Sequence, residues 1–126
     1  MSDIDALLVA RLKTYPGLLA LVNQRVYPLV LPQKPTLPAV VYQRISGPRD
    51  HTHNGPVGIA QPRYQVTAWA ETPTAARAVA TQIRLALDCW RPDAYGVGLI
   101  LDDRDLYDPE TKWYQVPADF RLVHEE

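Results

Sequence analysis

The chain has 126 residues, 47% hydrophobic and 21% charged, with a net charge of −1. That size fits one domain over residues 1–126 and lets about two thirds of the unfolded surface be buried. The lone cysteine, Cys89, excludes an internal disulfide framework and a cysteine-built zinc site. No apolar run of about 18 residues occurs, and the opening MSDIDALL lacks a leader's basic and apolar regions, so a cytoplasmic protein, or something assembled there, is expected.

Ser2 suits the cap of a first helix, with Asp5 as a short capping-box partner and Ile4, Leu7, Leu8 and Leu12 at helical spacing. YPG at 15–17 interrupts that pattern, and Leu18, Leu19, Leu21 and Val22 predict a further turn or two. RVYPLVLPQKPTLP, at 25–38, carries four prolines, which predicts an extended connection with at most a short edge strand near residue 26.

AVVYQRIS (39–46) and RYQVTAWA (63–70) read as strands, the second with Tyr64, Val66 and Ala68 on one face and Gln65, Thr67 and Trp69 on the other. Between them lies the tip of a long hairpin. Thr72 then caps a helix that opens at Pro73, with Ala76, Val79, Ala80, Ile83, Leu87 and Trp90 forming its apolar stripe. VGLILDD (97–103) predicts a strand, RDLYDPET (104–111) a turn and KWYQVPADFRLV (112–123) a last strand, which Pro117 marks with a bulge or an edge. The order α-β-β-α-β-β implies an α+β fold: an antiparallel sheet of about four strands with two main helices on one face.

SGPRDHTHNGP, at 46–56, is the stretch that looks most like chemistry, with Arg49, Asp50, His51, His53 and Asn54 close together. Two alternate histidines beside an aspartate suit a metal, and with the acidic segment they would suit a small metal-dependent hydrolase. The Asn-Gly-Pro run argues for a turn, however, and no further His or Cys completes the shell, His124 lying near a frayed C-terminus. No metal or cofactor is expected. Catalysis is not expected either: no G-x-S-x-G, P-loop or G-x-G-x-x-G occurs, and Cys89 at the end of the helix stripe reads as a buried structural thiol.

DDRDLYDPE (102–110) collects Asp103 and Asp105 among five acids, but it lacks the glycine and terminal glutamate of a calcium loop and reads as a solvated hairpin. Trp69 and Trp113 fall on the sheet face opposite the helices, where large aromatics suggest a protein–protein surface. No basic stripe accompanies them, so nucleic-acid recognition is not expected. Residues 1–63 carry seven Lys/Arg against three acids (+4), and residues 64–126 carry six against eleven (−5). Kept apart by the fold, such halves favour head-to-tail self-association.

RVYPLVLPQKPTLPAVVYQRISGPRDHT, RYQVTAWA, ARAVATQIRLAL and DRDLYDPETKWYQVPADFRL follow one another as in one family. In that order the chain resembles the tail completion, or tail terminator, proteins of long-tailed bacteriophages and prophages. The resemblance implies a virion subunit of a ring, usually a hexamer, that caps the tail tube and stops its growth. It implies contacts with the tail tube protein and the head connector or head-closure protein, with phage DNA passing through, and no catalytic residue. A head-closure or adaptor ring protein is the neighbouring alternative. On this reading Arg49, Asp50, His51, His53 and Asn54 form a projecting tip that meets a neighbour, with Trp69, Trp113, Asp103 and Asp105 as further interface candidates.

Overall fold

The computed structural model describes residues 4–46, 49–52, 55–92 and 96–125. Three helices, α1 (Ile4–Thr14), α2 (Pro16–Val22) and α3 (Pro73–Leu87), cover one face of an open sheet. Its strands are β1 (Val26–Pro28), β2 (Ala39–Ser46), β3 (Arg49–Thr52), β4 (Gly55–Ala60), β5 (Arg63–Ala70), β6 (Val97–Asp103), β7 (Leu106–Asp108) and β8 (Trp113–Glu125). The expected α+β layering is therefore present, and β2, β5, β6 and β8 are its four long strands. Four short strands join them, and one of these, β1, runs parallel to β2 in a sheet otherwise antiparallel.

Alternation explains which face is covered. Tyr64, Val66, Ala68 and Ala70 of β5 and Val116, Ala118, Phe120 and Leu122 of β8 are buried against the helices. α3 answers with Ala76, Val79, Ala80, Ile83, Ala86 and Leu87, and α1 with Ile4, Leu8 and Leu12, each set spaced at helical period. Thr72 caps α3 as expected, its hydroxyl accepting from the Ala75 N–H at 3.1 Å, with Pro73 in the first turn. The helix stops at Leu87, short of Trp90. The Asp88 carboxylate accepts from the Ile100 N–H at 3.1 Å, and Cys89 turns the chain at φ 64°.

That turn exposes Cys89, against the expectation of a buried thiol. It also brings α3 so close to β6 that a Cβ on Gly98 would lie 2.3 Å from the Leu87 carbonyl oxygen. Position 98 therefore tolerates nothing larger than glycine without moving backbone.

Pro117 sits in an interior strand, not at an edge. Its carbonyl accepts from the Arg104 N–H at 3.2 Å, so its missing N–H faces the same side, where β6 gives way to β7 as the partner of β8. The bulge lies in β6, between Ile100 and Asp102. His124 is not frayed: it is buried in β8 opposite Ala60.

Polar contacts between layers complete the fold. Ser2, and with it the expected capping box, lies outside the described residues, while Asp5 accepts a hydrogen bond from the Tyr64 hydroxyl. The same hydroxyl accepts from Arg44 Nε and Nη2 at 3.3 and 3.1 Å. Burial, and then the Asp5 carboxylate, push the Tyr64 pKa up to about 12. Arg11 of α1 donates to the carbonyl of Ala86 at 2.8 Å, supplying a partner to a carbonyl in the C-terminal turn of α3.

Candidate interaction surfaces

β2 and β5 pair along their whole length, and beyond Ser46 and Arg63 the hairpin continues as β3 against β4. β4 keeps the register of β5 on β8, since Arg63 faces Arg121 while Ala60 faces His124 and Ile59 faces Glu125. The stretch read as a loop is thus largely strand, a two-stranded extension of the sheet whose outer member pairs only with β4 among the described residues. The backbone of Arg49, Asp50 and His51 builds β3. Their side chains, and His53 and Asn54 altogether, lie outside the described part.

Trp69 and Trp113 share the face away from the helices. They are half-buried, packed edge to face with ring centres 6.3 Å apart and planes at 88°. The proline-rich segment folds over them, so that Leu29, Leu31, Pro35, Val41 and the two indoles line a groove of about 260 Å³. Partial cover explains why neither indole is as exposed as the alternation pattern alone implies. Farther along this face Arg63 and Arg121 stand directly opposite each other, and Asp119 accepts from Arg63 at 3.4 Å and from Gln65 at 3.3 Å.

The acidic segment has an internal partner that sequence spacing did not reveal. Arg77, on the outer side of α3, donates to Asp103 at 3.1 Å and also to Asp105. Both carboxylates hold the guanidinium protonated, raising its pKa further. A groove of about 570 Å³ lies beside this bridge, between Pro73 and Ala76 of α3 and Leu106, Tyr107 and Tyr114 of the hairpin. Among the described residues no three His, Cys, Asp or Glu side chains gather as a metal would need, and no helix is long and apolar enough to cross a membrane.

The sheet sets parts of the oppositely charged halves at two of its edges, although the halves also meet where β4 pairs with β8 and Arg63 reaches Asp119. Residues before 64 supply the β1–β2 edge, and residues after it supply β8 and the β6–β7 edge. Sequence comparison matches the profile of one family, described as tail completion protein gp17, over residues 6–125. The chain belongs to the tail completion protein gp17 family. It is accordingly a structural protein of the phage tail and a component of the virion.

Among solved structures, this tail completion protein is similar to a chain of the virion of a native gene transfer agent particle. The two share 19% identity and a TM-score of 0.72, over 98% of this chain and 95% of that one. That likeness concerns the fold. No curated protein sequence gives a significant match.

The segments that carry the family resemblance hold the fold at definable points. R-V-Y-P enters the sheet as β1, and D-P-E-T turns β7 into β8. There the Asp108 carboxylate accepts from the Glu110 N–H and the Thr111 hydroxyl, both at 3.0 Å, which lets Lys112 adopt φ 63°. Residues the sequence reading missed are Leu29, Val30, Leu101, Leu106 and Tyr107, all exposed. The available signal was apolar side chains inside segments otherwise rich in proline or acid.

Proposed function

We propose that this tail completion protein forms a ring, a hexamer, that caps the tail tube at its head-proximal end. The ring ends tube growth and offers the surface on which the head connector or head-closure protein joins. The observation that carries the proposal is the family match, which runs almost from end to end of the chain. A heterologous ring needs two different complementary surfaces on each subunit. The placement of β1, from the basic half, and of β6 and β7, from the acidic half, at different edges of the sheet is consistent with that requirement.

The protein acts by geometry rather than by chemistry. Its conspicuous polar groups serve structure: Arg77 with Asp103 and Asp105, Asp108 in the hairpin turn, and Tyr64 between Asp5 and Arg44. The β3–β4 extension, with Arg49, Asp50, His51, His53 and Asn54, is assigned to contact with a neighbour. Phage DNA passes through the ring without being read.

Negative-stain imaging of the purified protein with tail tubes from its own phage tests the role. A terminator sits at one end of the tube and nowhere else. Rings that bind emptied heads but ignore tubes would instead assign the protein to the head-closure or adaptor class.

A further inference from the structure

Nine large apolar side chains stand exposed among the described residues, and six of them lie at the two outer edges of the sheet. Leu29 and Val30 follow β1 and are 66% and 73% exposed. Leu99, Leu101, Leu106 and Tyr107 lie on β6 and β7, at the other edge.

The second edge is closed for only part of its length. Gly98 donates its N–H to the Trp90 carbonyl at 2.6 Å and accepts from Cys89 N–H at 2.7 Å, and the Ile100 N–H is held by Asp88. Beyond Ile100 the bulge shifts the register, and no described segment pairs with the outer side of 101–108. Unpaired strand edges flanked by apolar side chains are ready sites for another strand. At the first edge β1 pairs only with β2 among the described strands. Its outer backbone is blunted: Val26 N–H is held by the Gln24 carbonyl at 2.9 Å, Pro28 has no N–H, and the Pro28 carbonyl accepts from Val30 N–H at 2.7 Å. A neighbour therefore meets this edge through side chains.

Register relates the two edges. Val40 faces Val26 and Ala68, Ala68 faces Val116, and the row of Tyr42, Val66 and Ala118 ends on Asp103. β1 and the 103–106 junction therefore stand at opposite ends of the same cross-strand rows. Strand directions fit as well. β1 runs with β2, and β7 runs against it through β5 and β8, so β7 of one copy would meet β1 of another antiparallel. Charge also fits: Arg25 and exposed Lys34 flank β1, while Asp102 is exposed on the other edge beside Asp105, which Arg77 already engages.

We infer that the β6–β7 edge, over 101–108, docks the β1 edge of a second copy through the apolar side chains of the two edges, Leu29 and Val30 against Leu101, Leu106 and Tyr107. This rests on the ring reading above and names the surfaces that make the ring. Because the edges lie at one level along the strands, successive copies repeat without a step in that direction, the condition for closure rather than a filament.

Two edge variants, mixed, test the inference. Leu29→Asp with Val30→Asp spoils the β1 edge, and Leu101→Asp with Tyr107→Asp spoils the other. Tyr107 packs on Tyr114 with ring centres 5.0 Å apart, so Leu101→Asp alone replaces the second variant if its melting temperature falls. Sedimentation, with tail tubes present to promote assembly, reads the result. Each folded variant alone should lose rings, and the mixture should give one-to-one pairs and nothing larger, since only one intact contact remains. Rings from either variant alone, or no pairs in the mixture, would overturn the edge assignment while leaving the ring standing. Wild-type protein that forms no ring on tubes would remove the functional reading and this inference with it.

Discussion

At the scale of single residues, stability concentrates where α3 meets the sheet. Leu87 is fully buried and closes the apolar face of α3, so Leu87→Ala should cost about 2–5 kcal/mol in denaturant unfolding. A loss below about 0.5 kcal/mol, well under that range, would mean that the stripe is not core. Tyr64 gives a prediction with a sign. Its folded pKa is raised from 10.0 to about 12, so the native state holds this proton more tightly than the unfolded chain does. The associated stabilisation is fully present below pH 10 and is lost as the pH climbs through about 12. Tyr64→Phe should therefore unfold with a shallower decline in stability across that window than the wild type. Parallel declines in the two proteins would show that Tyr64 is not the group responsible.

At the scale of elements, the arm formed by β3 and β4 is the part whose role turns most on assembly. It continues the β2–β5 hairpin, and among the described residues β4 pairs with β8 at Ile59 and Ala60. Replacing Asp50, His51 and His53 together with Ser should leave the melting temperature nearly unchanged and reduce capping of tail tubes. Full complementation of a phage lacking the gene would show the arm to be a mere connection. The bounds of β2, β5 and β6 were legible in the sequence because each is a β-branched or aromatic run ended by Gly, Pro or charge. The start of α3 was legible from Thr72-Pro73. Its end was not, because Asp88 is drawn to the Ile100 N–H, a partner 12 residues away that no local pattern encodes. β4 was hidden by its own Gly and Pro, and β3 by the Gly-Pro and Asn-Gly-Pro that flank it. β4 is made a strand by extending the β5 register on β8, and β3 by pairing with β4. The Trp69–Trp113 face was foreseen from alternation. The segment folding over it was not, and neither was the claim of Arg77 on Asp103 and Asp105, since both depend on tertiary packing.

At the scale of the whole molecule, two layers leave one sheet face and two sheet edges available to other proteins. The halves of the chain bear +4 and −5, and exposed charges are screened beyond about 8–10 Å near physiological ionic strength. Self-association should accordingly weaken as salt rises, read by sedimentation. Equal or tighter association at high salt would point to an apolar contact alone, through Trp69, Trp113 or the exposed leucines. The central claim is that the protein ends a growing tube. Its most direct measurement is the length of tubes assembled from the phage's own tail tube protein, with this protein added partway through growth. The account predicts that elongation stops at capped ends and that lengths freeze at their value on addition. Tubes that lengthen at the same rate with and without the protein would contradict it.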